Sequence, residues 1–362
     1  MATAAGLLNG TRQTEPLLRV AADVGLAPGA VTLSRLGGGA NNQVFLADDG
    51  KARFVIKSYF RHEADSRDRR AAEFAFSTYA WSRGIRCIAE PVATYPADAL
   101  SVFTLIGGQP IDAGTLADDT KGDDAIAAAL DFVAELNTDR SNDRAAGLPS
   151  ASEACFSLDA HLVTVAKRVE RLRSISSADD IDARLESLVA DELLPAWDCI
   201  ADETRVLAEA RGIAMDAEIT DAARCLSPSD FGFHNALRDD AGIYRFFDFE
   251  YAGWDDPAKL FADFFCQKAV PVPLHYAPAA MTRLADMLNL SKIARHRMAL
   301  LLAVYQIKWC CILLNEFLPA GRARRSFATD APDPRPAQLD KAQQALNGLL
   351  GHTALRDQLL NN

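Results

Sequence analysis

Between residues 227 and 237 the chain reads SPSDFGFHNAL, and beyond the apolar run GIYRFF it reads DFE. Asp230 and Asn235 therefore stand five positions apart, and Asp248 and Glu250 follow a strand-like segment. An acid that can take a proton, followed by an amide and an acid that can give oxygen to a hard cation, suits phosphoryl transfer. That reaction needs an acceptor hydroxyl held in line, a receiver for its proton, magnesium across the phosphates and a cation to neutralise them. Lys57, closing the stretch FVIK, offers the cation. Taken singly, each residue also suits a structural role: Asp230 as a cap, Asn235 in an Asx turn, Lys57 as a strand end reaching solvent, Glu250 paired with a basic neighbour. Their order carries the chemistry. A strand lysine, a helical glutamate, DxxxxN, an apolar strand and DF follow one another along the chain, with one residue type for each of those needs.

The elements that must position these residues are uneven along the chain. Residues 14–26 predict a short helix, and VTLSRL, NQVFLA and ARFVIKSYF predict strands separated by GGGAN and DDGK turns. The segment SRDRRAAEFAFSTYAWSR, read with an apolar side at positions 71, 74, 75, 78 and 81, of which 78 is a threonine, predicts a helical face. Glu73 sits amid that face, where a carboxylate needs a partner, so it is preferred over Glu63, Asp65 and Asp68 as the mate of Lys57. AEPVATYPADALSVFTLIGG returns to strands, and beyond Gly108 the pattern is almost wholly helical. The expected class is α+β: a small antiparallel sheet with one helix over residues 1–106, then a larger, mainly helical lobe over 107–362. That second lobe is expected to hold both the loop 227–237 and the triplet 248–250, with a nucleotide lying where the lobes meet. Gly37, Gly38, Gly39 and Asn41 fall where a turn would cover phosphates, and the backbone from Leu105 to Gly107 is expected to meet adenine.

Composition removes other function classes. With 362 residues and 49% hydrophobic composition the chain can bury a large core. Lys and Arg number 38 against 49 acidic residues, a formal charge of −11 that disfavours nucleic acid and leaves small, possibly cationic molecules as partners. Seven cysteines without a CxxC pair suit free thiols in a reducing compartment. The N-terminal stretch has neither a basic n-region nor a long apolar core, so a cytoplasmic location is expected. MALLLAVYQIKWCCILL, interrupted by Gln306 and Lys308, is expected to fall short of a bilayer span and to be a buried core helix rather than a membrane segment.

SDFGFHNAL and FFDFEYAGWDDP, with VIK and AAEF, resemble the aminoglycoside phosphotransferase and choline kinase family of small-molecule kinases. The resemblance implies a bilobal protein-kinase-like fold, ATP and Mg2+ as cofactors, and a small hydroxylated acceptor such as an amino alcohol, an aminoglycoside-like compound or a sugar. It implies Asp230 as catalytic base, Asn235 and Asp248 as magnesium ligands with Glu250 assisting, and Lys57 paired with Glu73 to position the phosphates. Two positions depart from the pattern: the histidine and glycine expected before the base are Pro228 and Ser229. Proline restricts φ by itself and can brace the loop in the histidine's stead. Pro228 also supports an alternative, a nucleotide-binding pseudokinase that regulates a partner. A protein side-chain kinase is disfavoured, because no long activation-loop segment follows DFE. Asp256 and Pro257 are expected to cap a helix, and His234 to pack or bond within its loop. Trp197, Trp254, Trp309, Asp198 and Glu316 are candidates for the acceptor pocket or for helix packing, and the RARR run at 322–325 for a surface turn or an acid-binding lip.

Overall fold

The structure is a computed structural model that describes residues 14–36, 42–61, 67–141, 143–175, 178–319 and 333–361. Over these residues the chain divides into two compact units. One takes in 14–109 and 237–251, the other 110–236, 252–319 and 333–361.

The first unit is built on a five-stranded antiparallel sheet, β1 (Thr32–Arg35), β2 (Asn42–Asp48), β3 (Arg53–Tyr59), β4 (Pro91–Tyr95) and β5 (Leu100–Thr104), in the order β1-β2-β3-β5-β4. Asp48 and Asp49 shape the β2–β3 turn: the Asp48 carboxylate accepts from the amide of Gly50, whose φ is +82°. Ile56 on β3 stands opposite Phe45 and Val102, and these three join Leu17, Val20 and Ala21 of helix α1 (Thr14–Asp23) in an apolar cluster on one face. Strand periodicity of two puts Lys57 and Tyr59 on the opposite face. Helix α2 (Arg69–Ser82) starts at Asp68, whose carboxylate caps the Ala71 amide at 2.9 Å. Its buried face differs from the one expected. Arg69, Glu73, Phe76, Ser77 and Ala80 are buried, while Ala75 and Thr78 are exposed, because paired charges can occupy a buried face that an apolar pattern does not reveal.

The boundary also differs from a cut at residue 106. Residues 237–251, expected with the helices, group with the sheet. The Phe246 amide donates to the Cys87 carbonyl at 2.8 Å, and the Phe249 ring lies 5.1 Å from that of Phe76. A tertiary contact of this kind leaves no mark in local sequence.

The second unit is helical and organised around Lys292–Leu313, which packs against the helices Leu158–Arg173, Leu194–Glu209, Pro257–Cys266, Arg335–Asn347 and Leu349–Asn361. Residues Arg297 to Lys308 are buried without a break, the signature of a helix apolar on all sides inside a core. By length and composition the segment Lys292–Phe317 would suffice to cross a membrane, contrary to the shorter span expected, yet 78% of its most apolar window is buried within the protein. Asn137 braces the strand Cys225–Ser227 by bonding both the amide and the carbonyl of Leu226, at 2.8 and 2.9 Å. That strand pairs antiparallel with Gly253–Asp255, Ser227 opposite Gly253, and so fixes where the 227–237 loop begins.

Gly253 is constrained by close approach: a Cβ there would lie 2.3 Å from the Pro149 carbonyl oxygen and 2.6 Å from the Ala151 nitrogen. Gly253→Ala should lower stability by about 2–4 kcal/mol. Gly107→Ala, where a Cβ meets nothing within 4 Å, should change it by less than about 0.5 kcal/mol. Urea unfolding midpoints of the two variants check this.

Candidate active site

The sheet unit carries one group of functional side chains. Lys57 points from the face of β3 opposite the apolar cluster, and its Nζ lies 2.8 and 2.7 Å from the two Glu73 carboxylate oxygens and 2.6 Å from Asp248 Oδ1. Tyr59, two residues along the same face, donates to Glu73 Oε2 at 2.7 Å. The Phe249 amide donates to Glu73 Oε1 at 3.3 Å, so one buried carboxylate gathers the strand lysine, the tyrosine and the DFE segment. Asp68 caps α2, and Glu63 and Asp65 lie outside the described residues.

Asn42, at the start of β2, ties the triplet together. Its amide nitrogen is 3.3 Å from Asp248 Oδ1 and 3.2 Å from Glu250 Oε2. Arg69 stands 3.8 Å from Glu250 on the other side. Asp248 holds a left-handed φ of +69°, uncommon for a residue with a Cβ, which turns its carboxylate back toward Lys57.

The electrostatics follow from this crowding. Burial opposes the charge on Lys57, but Asp248, Glu73 and Glu250 outweigh it and hold its pKa above the usual lysine value. Glu250 is pushed up to about 7, by burial first and then by the Asp248 charge. Glu73, Asp248 and Glu250 thus crowd together around Lys57 and Arg69, and a further positive charge would relieve that crowding. All the donors are oxygens, the set that suits magnesium. Among the described residues no three His, Cys, Asp or Glu side chains form a closed cage for a metal. One or two carboxylates, with the rest of the sphere from water and phosphate, is the usual way magnesium is held.

The helical unit carries the second group. Phe231 and Phe233 anchor the loop, their rings 5.5 and 5.8 Å from that of Phe264. With these rings buried, Asp230 remains 35% exposed, accessible to a hydroxyl. The Asn235 side chain is buried and donates from Nδ2 to the Asp230 carbonyl at 3.0 Å, leaving its amide oxygen for another partner. His234 Nε2 lies 3.3 Å from Asp230 Oδ1, a bond within the loop.

Sequence reasoning missed Asn42, Tyr59 and Arg69. Tyr59 was open to the period-two rule applied from Lys57; Asn42 and Arg69 gave no signal, since only the fold brings them to the triplet. Gly37, Gly38, Gly39 and Asn41 lie outside the described residues, as does the RARR run. Leu105 is half-buried and Gly107 exposed in the segment after β5. Asp256 caps its helix through the Ala258 amide at 2.8 Å. The indoles of Trp254 and Trp309 are bonded to the Ala145 carbonyl and to Asp263, each at 2.9 Å, and Trp197 is buried.

Residues 32–273 match the model of the phosphotransferase enzyme family, and the chain belongs to that family. It is a phosphotransferase with an alcohol group as acceptor. A search of curated proteins by sequence finds no match. Among solved structures, a spectinomycin phosphotransferase in complex with ADP and spectinomycin is similar at a TM-score of 0.61 and 12% identity, covering 95% of this chain and 99% of its own. An ethanolamine kinase of Plasmodium vivax gives 0.58 and 13%, over 92% and 86% of the two chains. A choline kinase of Cryptosporidium parvum gives 0.53 and 14%, over 94% and 99%. These likenesses establish the kinase-like α+β fold.

The Lys57 cluster predicts a specific pattern of stability. Lys57→Met leaves Glu73 and Asp248 without their shared cation and should cost about 3–5 kcal/mol. Lys57→Met/Glu73→Met removes a buried charge of each sign and should recover at least about half of that loss. Equal losses in urea unfolding would mean that Lys57 is not what balances Glu73.

Proposed function

We propose that the protein transfers the γ-phosphoryl group of ATP, with magnesium, to a hydroxyl of a small molecule such as an amino alcohol, an aminoglycoside-like compound or a sugar. The observation that carries this reading is Lys57 held by both Glu73 and Asp248 within 2.8 Å, a buried cation kept charged beside crowded carboxylate oxygens. Lys57 neutralises phosphate oxygens, and Glu73 with Tyr59 keeps it in place. Asp248, Glu250 and Asn235 are the oxygen donors proposed for magnesium, which when bound offsets charge on the phosphates. Asp230 orients the acceptor hydroxyl and takes its proton as that oxygen bonds to the γ-phosphorus; the bond from phosphorus to the bridging oxygen breaks, and ADP leaves with the electron pair. Gly37, Gly38, Gly39 and Asn41 are proposed to cover the phosphates, and Leu105 to Gly107 to meet the base. The similar kinases of spectinomycin, ethanolamine and choline support a small-molecule acceptor.

The test is transfer of label from γ-labelled ATP into pooled amino alcohols, aminoglycosides and sugars. Label should enter a small molecule, and Asp230→Asn should lower that turnover by about a hundredfold or more while leaving ATP affinity nearly unchanged. Label found on protein alone would refute a small-molecule acceptor. Full activity in a folded Asp230→Asn variant would remove the base.

A further inference from the structure

In the helical unit a second lysine is buried with no evident use. Lys259, on the helix Pro257–Cys266, is only 1% exposed. Its Nζ lies 2.6 Å from Asp255 Oδ2, 3.4 Å from Asp263 Oδ2 and 3.2 Å from Ser229 Oγ, so the three donors of the ammonium are all engaged. Asp263 is shared with Lys308, at 2.9 Å, and the two lysines and two aspartates balance in charge. A balanced buried charge set is seldom more stable than apolar residues of the same volume, which directs attention to the neutral partner of Lys259, Ser229.

That partner directly precedes Asp230. Ser229 has a φ of +67°, a left-handed conformation that glycine takes freely and a residue with a Cβ resists. Two contacts hold it there: its amide donates to Ser227 Oγ at 3.0 Å, and its hydroxyl accepts from Lys259. Its carbonyl in turn accepts from the Phe231 amide at 2.8 Å, so the peptide units on either side of Asp230 are oriented by the conformation of Ser229.

We propose that Lys259 is a positioning residue, which through Ser229 Oγ holds the strained residue before Asp230 and thereby aims the Asp230 carboxylate. Asp255 and Asp263 keep Lys259 charged and in place. The proposal rests on the reading of Asp230 as the group that receives the acceptor's proton.

The test uses the full chain, with Ser229→Ala as the main variant, because it removes the Lys259 contact without unpairing any buried charge; Lys259→Met is the second. Hydrogen exchange of peptides spanning 226–237, affinity for ATP with magnesium, and release of labelled phosphate from ATP to water are measured together. Ser229→Ala should keep its melting temperature within about 3 °C and its ATP affinity within about twofold, while exchange in 226–237 speeds up by about tenfold or more and kcat for phosphate release falls by about tenfold at unchanged KM. Wild-type exchange in 226–237 together with wild-type kcat in Ser229→Ala would overturn the proposal, whether or not Lys259→Met folds. Asp230→Asn distinguishes the two failures: wild-type phosphate release in that variant would remove the base itself, whatever the loop exchange shows.

Discussion

A lysine buried in the face of a sheet has to be paired, and in this protein that requirement organises the whole sheet unit. Lys57 sits on the central strand β3, where burial by itself disfavours its charge. Glu73 supplies one counter-charge and Asp248 the other, and they come from α2 and from the 237–251 segment, far apart in sequence. Docking that segment on the sheet, turning Asp248 into a left-handed conformation and burying the charged face of α2 all serve one ion cluster. The cluster brings the carboxylates of Asp248 and Glu250 together, and Asn42 bonds both. An arrangement that keeps one cation permanently charged and invites another is poorly suited to a purely structural role, for which apolar packing would serve as well.

Two of the buried lysines make an instructive contrast. Lys57 and Lys259 are each held by two carboxylates, and in each case burial opposes the charge while the acids restore it. One contact differs between them. Lys57 shares its acids with a half-buried aspartate, Asp248, that has further oxygen to offer, whereas Lys259 turns its remaining donor on Ser229 and lies wholly inside the core. On the proposed reading the first meets a ligand and the second holds a loop, a distinction that rests on exposure and partners and not on residue type.

Much of the fold was legible because local rules governed it. Period-two strands, the Asp-Gly turn at residues 49–50 and a helical remainder give the α+β class directly. Lys57, Glu73, Asp230, Asn235 and Asp248 were singled out for a different reason, the match of their types and spacing to what phosphoryl transfer needs. What could not be read arose where tertiary contacts override pattern. The buried face of α2 was misread because Arg69 and Glu73 look solvated until their partners are known. The allegiance of residues 237–251 to the sheet depends on the Phe246 and Phe249 contacts. Asn42 follows a glycine-rich stretch in which nothing distinguishes it from its neighbour Asn41. The acceptor's recognition stayed silent because tryptophans and acids on helices serve packing as readily as binding; Trp254 and Trp309 are bonded within the protein.

The account's central claim is that the crowded carboxylates beside Lys57 receive magnesium together with a nucleotide. Calorimetric titration of ATP into the wild-type protein and into Asp248→Ala, each with magnesium and with a chelator, tests it most directly. The account predicts tight binding by the wild type only with magnesium, weakened by about tenfold or more in the chelator, and an Asp248→Ala variant whose weak binding is nearly indifferent to the metal. Equal ATP affinity of the wild type with and without magnesium, or full metal dependence retained in Asp248→Ala, would contradict it.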